Sequence, residues 1–422
     1  MISLFLFVLI QTIQAERFNG TCGLECTWIY DNTTKILEIS GKGMMNDYGY
    51  VSENDFKKYK NEVEVAKIGD GILSIGSYAF SLFKQLHTVE MGNTIGTIKK
   101  GAFYLCSSLT TINFSKSLLS LEQRVFYCCT NLKTVILPDS LVKIDQYVFE
   151  GCEGITTLTI GNNVDTIEDF AFFKCRNLTE ITIPDSVFTL GQHAFDSCSS
   201  LTTATIGNGL NTLSPYVFSS CTSLKKVSMK SGIKKIEQST FEYCLALEEI
   251  SLPNTIKSIG QHAFAWCKKL QTITIPGSVE ELYYGAFVGC ESLKTVTVNG
   301  NNLVTIGMQA FQSCTSLETI ILPESVKIIN NQAFYLCTSL KTFIIPKSVE
   351  TIGEKVFENC TSLQRVEFRG VQEPTCSNQT FANSNIEIIN VDLNYKNTTF
   401  CGEKIELTDF NKKKETMVLL LV

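Results

Sequence analysis

Phenylalanine recurs through most of the chain at an almost constant spacing. It stands at Phe80, Phe103, Phe126, Phe149, Phe172, Phe195, Phe218, Phe241, Phe264, Phe287, Phe311, Phe334 and Phe357. Every step is 23 residues except the step of 24 between Phe287 and Phe311. Ile, Leu or Val stands eight residues before each of these Phe residues, and Ile or Leu stands five residues before it. Thirteen copies in phase predict a repeat array in which each copy is one structural unit.

The elements of one copy follow from its own pattern. Residues 178–198 read LTEITIPDSVFTLGQHAFDSC, and the alternation of apolar and polar residues before Pro184 predicts a short β-strand. Proline lacks an amide hydrogen, so the strand is expected to end there, as in five other copies. The segment from Gly191 to Cys198 is too short for a long helix, and we expect a helical or 3-10 turn on the far side. One copy buries almost nothing, so stacked copies must share one continuous core.

The two ends of the chain carry short apolar runs. Residues 2–13 are apolar enough for the central region of a secretory signal peptide, with cleavage expected after Ala15, and too few to span a bilayer. The alternative interpretation is a buried N-terminal strand or helix. Near the other end, three lysines at 412–414 precede only six apolar residues, too few to cross a membrane. We therefore expect a secreted or extracellular protein without a spanning membrane segment.

The repeat consensus resembles the BspA-like leucine-rich repeats, a short-period family of bacterial and protist cell surfaces, over about residues 60–370. The stretch around Cys22, Trp28 and Leu37–Met44 resembles the N-terminal cap of that family. The resemblance implies an α/β leucine-rich-repeat solenoid with one parallel strand per turn and short helical or 3-10 segments opposite. We expect a signal peptide over 1–15, an N-terminal cap over 16–61, about 13–14 repeats over 62–370, a C-terminal cap over 371–410 and a tail over 411–422. One elongated domain fits this organisation better than the two or three domains that the length suggests.

The chain contains 17 cysteines, and most of them follow the repeat. Twelve stand three residues after the repeat phenylalanine: Cys106, Cys129, Cys152, Cys175, Cys198, Cys221, Cys244, Cys267, Cys290, Cys314, Cys337 and Cys360. The first copy has Phe83 instead, and a position that accepts Phe or Cys is a core position. We therefore interpret the twelve as a ladder of buried thiols. Disulfides between neighbouring copies remain an alternative. Metal binding is a third, although the array has no CxxC pair or partnering His.

The other five cysteines lie outside this register. Cys22 and Cys26 lie in the N-terminal cap, whereas Cys376 and Cys401 lie in the C-terminal cap. Repeat arrays need closed ends, and an oxidising compartment permits disulfides there, so we predict Cys22–Cys26 and Cys376–Cys401 bridges. Cys128 precedes Cys129 and is expected to point the opposite way, as an exposed thiol. It is the one candidate for a reactive cysteine.

No catalytic motif is visible in the sequence. The G-x-S-x-G, HExxH, P-loop and dinucleotide-binding patterns are all missing. Of the three histidines, His193 and His262 stand where other copies carry aromatic residues, which favours a packing position over a catalytic one. We predict that the protein is not an enzyme and uses no cofactor or metal. The net charge of −6 does not indicate the basic surface that nucleic-acid binding requires.

The remaining candidates are surface residues. In each predicted strand the residues on either side of the central apolar residue, as Glu180 and Thr182 are around Ile181, point outward, and stacking aligns them in two columns that are mostly threonine. Threonine fits a half-exposed pleated surface, so packing alone can explain the columns. The charged and aliphatic members of these columns stand out as candidates for a protein-binding face: Ile136, Glu180, Lys226, Glu249, Ile321 and Ile344. The hydroxyl residues beside them are included in this face: Thr134, Thr182, Ser228 and Ser251.

We expect a secreted or cell-surface adhesion module that binds host, matrix or cell-surface proteins through this strand face. One alternative is a structural surface or matrix component that assembles with itself, and a remote one is an ice-binding threonine array. Seven Asn-x-Ser/Thr sequons are candidate glycosylation sites if the source glycosylates its secreted proteins: Asn19, Asn32, Asn113, Asn177, Asn359, Asn378 and Asn397.

Overall fold

A computed structural model describes residues 16–52 and 55–410. The expected signal peptide, residues 1–15, and the expected tail, residues 411–422, lie outside the described residues. The chain divides into two compact units, Met1–Val164 and Asp165–Val422, and each is described by itself.

The first unit combines the N-terminal cap with four copies of the repeat. Its strands are β1 (Arg17–Thr21), β2 (Glu25–Asp31), β3 (Ile36–Met44), β4 (Val65–Ile68), β5 (Ile72–Ile75), β6 (Thr88–Met91), β7 (Thr97–Ile98), β8 (Thr111–Asn113), β9 (Ser120–Leu121), β10 (Thr134–Ile136), β11 (Lys143–Ile144) and β12 (Thr157–Thr159), with a 3-10 helix at Asp55–Tyr59. Strands β1, β2 and β3 are antiparallel. The first half of β3 then pairs in parallel with β4 and its end pairs with β5, so one long strand starts both parallel ladders.

The second unit holds the remaining copies and the C-terminal cap. Its strands are β13 (Thr166–Ile167), β14 (Glu180–Ile183), β15 (Thr189–Leu190), β16 (Thr203–Ile206), β17 (Thr212–Leu213), β18 (Lys226–Met229), β19 (Lys235–Ile236), β20 (Glu249–Ile250), β21 (Ser258–Ile259), β22 (Thr272–Ile275), β23 (Glu281–Leu282), β24 (Thr295–Val298), β25 (Thr305–Ile306), β26 (Thr319–Ile320), β27 (Ile328–Ile329), β28 (Thr342–Ile345), β29 (Thr351–Ile352), β30 (Arg365–Phe368), β31 (Ile388–Asp392), β32 (Thr399–Phe400) and β33 (Glu403–Thr408).

In the turns from β6 to β29, a first strand of two to four residues is followed by a second strand of two residues. The predicted parallel strand is present, and β31 continues the array, because Arg365 pairs with Ile388 in parallel register. Strand β31, Ile388–Asp392, lies within the C-terminal cap expected over 371–410.

The repeat phenylalanines form the centre of the core. They are fully buried, and within each unit consecutive rings stack with centroids 5.1–5.8 Å apart and nearly parallel planes. At the N-terminal end Phe56 of the 3-10 helix covers the column, with its ring 5.4 Å from Phe80. At the C-terminal end Phe381 stacks on Phe357 and is followed by Phe400. Each cap thus covers the end of the aromatic column of its own unit, as a repeat array requires.

The side of each turn that carries the phenylalanine differs from the prediction. Where the sequence suggested helical or 3-10 segments, the structure has consecutive turns, and the one helix named among the described residues is the 3-10 helix in the cap. In all thirteen copies the residues two before and two after the Phe have positive φ, as Tyr78 (53°) and Leu82 (67°) do. Left-handed residues at this spacing interrupt any helix.

The hydrogen bonds show why this backbone is stable although non-glycine residues in this region are strained. In the first copy the amides of Tyr78, Phe80 and Leu82 donate to carbonyls of the next copy. The alternate amides, those of Ala79 and Ser81, donate to carbonyls three residues earlier. Every second amide therefore joins neighbouring turns, and the others close β-turns within one turn.

The twelve in-register cysteines are buried free thiols in the structure. In eleven of them Sγ donates to the carbonyl oxygen of the preceding copy's phenylalanine at 3.0–3.4 Å, as Cys244 does to Phe218. Near the C-terminal cap Ser384 takes the same position, and its hydroxyl donates to the carbonyl of Phe357. The position thus combines a small buried side chain with a hydrogen-bond donor, which Cys and Ser both supply.

A buried lysine closes the first turn of the array. Lys57 is completely buried, and its Nζ donates to the Tyr78 carbonyl at 2.6 Å and to the Ser81 hydroxyl at 2.8 Å. The ammonium thus binds acceptors at the end of the array, where no preceding copy lies. Burial lowers the pKa of Lys57 to about 8.

Burial of the thiols predicts a loss of stability at alkaline pH. Desolvation raises the pKa of ten ladder thiols above the ordinary value of 9.0, for example to about 12 in Cys290. Above pH 9 the unfolded thiols ionise and the folded ones do not, so each lowers the free energy of unfolding by up to about 1.4 kcal/mol per pH unit. Lys57 has the opposite effect and raises the free energy of unfolding between pH 8 and 10.5, but it is one group against ten thiols.

We expect urea midpoints to fall steeply between pH 8.5 and 10. Cys244→Ala removes one titrating thiol. It should lower the urea midpoint at pH 8.5 and make the midpoint fall less steeply as the pH rises. Midpoints that stay constant across this range would contradict the burial of un-ionised thiols.

A second prediction concerns glycines opposite large side chains. Gly289 has φ +71°, and a Cβ added there would lie 2.5 Å from the Trp266 ring. Gly289→Ala should destabilise the protein by about 1–3 kcal/mol, and adding Trp266→Ala should recover part of this loss. Ser220→Ala is the matched control, because Ser220 occupies the same left-handed position (φ 56°) and already has a Cβ. Equal melting temperatures for Gly289→Ala and Ser220→Ala would contradict the steric argument.

Candidate binding surface on the strand face

Along the first strand of each turn, side chains alternate between the buried core and the solvent. In β22, for example, Ile273 and Ile275 are buried, whereas Thr272 and Thr274 are exposed. Parallel pairing places Thr295 and Thr297 of the next turn beside them. The two outward columns predicted from the sequence therefore exist as rows on a rigid sheet, and we call this surface the strand face.

The ladder of first strands is interrupted at particular places. Within the described residues no pairing joins β8 to β10, β20 to β22 or β26 to β28. The short strands β10, β20 and β26 each precede a Leu-Pro pair: Leu137-Pro138, Leu252-Pro253 and Leu322-Pro323. Three copies with Ile-Pro instead keep four-residue strands, β14, β22 and β28. Ile is β-branched and favours the extended conformation more than Leu, which fits this difference.

A groove in the second unit lies at the interruption between β20 and β22. It has a volume of about 770 Å³. Its wall residues come from three consecutive turns and include Lys226, Ser228, Glu249, Ser251, Asn254 and Thr274. Lys226 and Glu249 are partners in the β18–β20 ladder, so opposite charges stand side by side at one edge of the groove. The groove thus offers a cation, an anion, hydroxyls and an amide on one rigid surface.

A smaller groove in the first unit lies at the interruption between β8 and β10. It has a volume of about 480 Å³ and is lined by residues that include Thr111, Asn113, Lys133, Thr134 and Ile136. The Ile136 side chain is 62% exposed at its rim. This groove combines one exposed aliphatic anchor with hydroxyl groups and one lysine.

The structure brings some of the predicted residues together and separates others. Lys226, Ser228, Glu249 and Ser251 line the larger groove, and Thr134 and Ile136 line the smaller one. Glu180 and Thr182 are exposed on β14 and line neither groove. Ile321 is 70% exposed just beyond the end of β26.

The sequence suggested that the Ile344 side chain is exposed, and the structure shows that this is wrong. The side chain is half-buried, because β28 stays extended through Ile345 and pairs with β30, which places Glu367 beside it. Sequence reasoning also missed Pro253, Asn254 and Thr272 of the larger groove. The signal that could have found them is the Leu-Pro pair, which marks where the ladder stops.

His193 and His262 make packing contacts. The ring of His193 stacks between Phe170 and Tyr216 with centroids 4.6 and 4.5 Å away, and its Nδ1 lies 2.8 Å from Asp196 Oδ2. His262 packs edge-on against Tyr284. Ser197 donates to Asp196 and not to the histidine, so this group lacks the serine–imidazole contact of an activated nucleophile.

The other five cysteines occupy three places. Cys22 is bonded to Cys26, and Cys376 is bonded to Cys401. Cys128 is half-buried instead of exposed, and its pKa is raised, chiefly by desolvation. A thiol with a raised pKa is a poor nucleophile, which argues against the reactive role considered for Cys128.

Beside the C-terminal disulfide, Glu373 accepts hydrogen bonds from the Cys401 amide and Asn397 Nδ2, each at 2.6 Å. The nearby sulfur atoms are bonded to one another, so this group is not a free set of metal ligands.

The candidate glycosylation asparagines lie at the surface to different degrees. Asn19, Asn113, Asn177, Asn378 and Asn397 are exposed, and Asn32 and Asn359 are half-buried. Asn113 also lines the smaller groove, so a glycan there would stand within it.

Thiol counting tests the assignment of all seventeen cysteines. The structure has thirteen free thiols and two disulfides. We expect alkylation under denaturing conditions to label thirteen cysteines without reductant and all seventeen after reduction, with the four additional labels in the two caps. Fewer than thirteen labelled cysteines without reductant would show disulfides among the in-register cysteines and would contradict the thiol–carbonyl hydrogen bonds.

Within residues 16–52 and 55–410, no helix has the length and apolar character needed to cross a bilayer. No curated protein sequence matches the chain. Among solved structures, a leucine-rich repeat protein from Bacteroides ovatus is similar, with 24% identity over 91% of this chain and 98% of that one and a TM-score of 0.59. A leucine-rich repeat protein from Eubacterium ventriosum shares 20% identity over 88% and 96%, with a TM-score of 0.50.

The model of the BspA type leucine rich repeat region matches residues 49–172, 142–270, 234–364 and 286–406. These overlapping matches span the whole array of 23-residue copies and most of the C-terminal cap. The chain therefore belongs to the BspA-type leucine-rich-repeat family.

Proposed function

We propose that the protein is a secreted or cell-surface, non-catalytic module that binds other proteins through the strand face. The observation that carries this proposal is the groove between β20 and β22, where Lys226 and Glu249 stand side by side above a rigid parallel sheet. Adhesion to host, matrix or cell-surface proteins is the role that we infer for it.

The character of the groove favours a protein ligand over a small molecule. Small-molecule sites are mostly apolar and enclose their ligand. This groove lies on an extended face, and most of its lining residues are polar, although apolar residues such as Val227 and Leu252 also line it. The sheet is held by pairing with neighbouring turns, so the groups are positioned before binding and little ordering entropy is lost. A partner with an acidic group opposite Lys226 and a basic group opposite Glu249 would match it.

The larger groove is the better candidate of the two. The smaller groove contains the Asn113 sequon, and a glycan on that asparagine would compete with a protein for the Ile136 surface. No sequon asparagine lines the larger groove. The disulfides in both caps and the exposed sequons support an extracellular location.

Charge reversal tests the larger groove. We expect Lys226→Glu and Glu249→Lys each to weaken binding to the protein's extracellular ligands by about tenfold, since each places like charges against a complementary partner. The ligands are first captured from a defined panel of purified matrix and cell-surface proteins, and affinity is then measured by biolayer interferometry.

The matched control reverses Lys268 and Glu291, an ion pair at 2.8 Å that also joins positions 23 residues apart but does not line the groove. It should leave affinity within about twofold of wild type. Binding to no member of the panel, or equal binding by wild type and both groove variants, would contradict the proposal.

The two alternatives predict different measurements. A self-assembling surface component should form ordered polymers in light scattering, and an ice-binding array should show thermal hysteresis. Glu180, Lys226 and Glu249 interrupt the threonine columns with exposed charges, which argues against a uniform water-ordering surface.

A further inference from the structure

One turn of the second unit carries an unusual concentration of positive charge. Residues 222–244, which we call the lysine turn, contain five exposed lysines: Lys225, Lys226, Lys230, Lys234 and Lys235. Its two acidic residues, Glu237 and Glu242, follow its second strand. In a chain with a net charge of −6, this is a local reversal of sign.

Four of these lysines have no ion pair within the described residues. Salt bridges engage several other lysines, including Lys268, Lys327 and Lys341, but only Lys230 of the lysine turn, whose Nζ lies 2.7 Å from Asp185. Lys225, Lys226, Lys234 and Lys235 therefore present ammonium groups to the solvent, on β18, on β19 and directly before them. Of these four, Lys226 has Glu249 beside it in the strand ladder.

The turn on one side of the lysines has no charged residue at all. Residues 199–221, which we call the uncharged turn, contain neither acidic nor basic side chains, nor histidine. They pair directly with the lysine turn: Thr203 lies beside Lys226, and Thr212 beside Lys235. An anionic ligand can therefore lie along β16, β17, β18 and β19 without meeting a carboxylate on those four strands.

The turn on the other side divides the patch. This turn, which follows the lysine turn in sequence, places Glu248 and Glu249 beside β18, where they repel an anion. Beside β19 the same turn places Lys257 and Ser258. The positive patch therefore widens toward the second strands, where Lys234, Lys235 and Lys257 lie together. A bound polyanion is directed along the lysine turn and over the uncharged turn, away from the glutamates.

We propose that this surface, the lysine turn together with the uncharged turn, binds an anionic polysaccharide. The ammonium groups would pair with sulfate or carboxylate groups, and the hydroxyls and amides of the uncharged turn, such as Thr203, Thr205 and Asn208, would hydrogen-bond to sugar hydroxyls. This site goes beyond the protein-binding groove, because Lys234, Lys235 and Lys257 do not line that groove.

The surface suits a polysaccharide better than the other polyanions. Single-stranded nucleic acids are bound through base stacking on aromatic side chains, and β16, β17, β18 and β19 carry none. Acidic peptides are usually anchored by apolar residues in pockets, and the outward residues of the uncharged turn are hydroxyls and amides.

The neighbouring copy supplies the variants for a test. Lys225→Thr, Lys226→Thr, Lys234→Asn and Lys235→Thr each install the residue that stands at the same place in the uncharged turn, so the fold already accepts them. We expect wild-type protein to bind immobilised heparin or hyaluronan with strong salt dependence, and the fourfold variant to lose affinity about tenfold or more. Hyaluronan carries carboxylates and no sulfate, whereas heparin carries both, so a preference for heparin would indicate that sulfate contributes to recognition.

Paired variants locate the site. Lys234→Asn with Lys235→Thr should weaken polysaccharide binding and leave protein binding at the groove unchanged. The control, Lys294→Thr with Lys341→Thr, removes two exposed charges in the same column as Lys225 and should change polysaccharide affinity less than about twofold.

Several outcomes would overturn the proposal. These are failure to bind either polysaccharide, equal binding of neutral dextran, an equal loss in the control variant, and binding of single-stranded DNA or polyglutamate as tight as that of the polysaccharides. Loss of the groove's protein ligand with polysaccharide binding intact would instead contradict only the proposed function.

Discussion

Hydrogen bonding between consecutive copies is the constraint on which the rest of the structure depends. Amides of left-handed residues such as Tyr78 and Leu82 find their acceptors in the next copy, and the amides between them close turns within their own copy. Non-glycine residues in this conformation are strained in isolation. The arrangement is therefore stable only when copies are stacked in register, and the caps are needed where stacking ends.

The same register creates the aromatic and thiol columns. A nearly constant step of 23 residues stacks the Phe rings on one another within each unit and places eleven of the thiols beside the preceding Phe carbonyl. A cysteine there costs little in volume and satisfies an acceptor, which explains both its frequency and its replacement by Ser384 near the C-terminal end. A high cysteine content, often the mark of a disulfide scaffold, here reflects core packing in a reduced ladder with disulfides only in the caps.

A surface that is held so rigidly can carry function through small departures from regularity. Interruptions in the strand ladder at Leu-Pro pairs open grooves, and clusters of lysine or glutamate in single turns produce sharp changes of charge between neighbouring strands. Because adjacent strands lie only about 4.8 Å apart, a ligand meets the side chains of several turns together. The groove between β20 and β22 and the lysine surface are both consequences of such local variation on a repeated backbone.

The sequence by itself determined the family, the 23-residue unit, its parallel first strand, the inward columns and the core position of the cysteines, because burial imposes a strict period on apolar residues. Only the tertiary structure decided the conformation opposite the strands, the partner of each thiol and the half-buried state of Ile344 and Cys128. It also decided which outward residues meet in a groove. A period records which side chains face inward, but hydrogen-bond partners and breaks in a ladder depend on how neighbouring copies fit together.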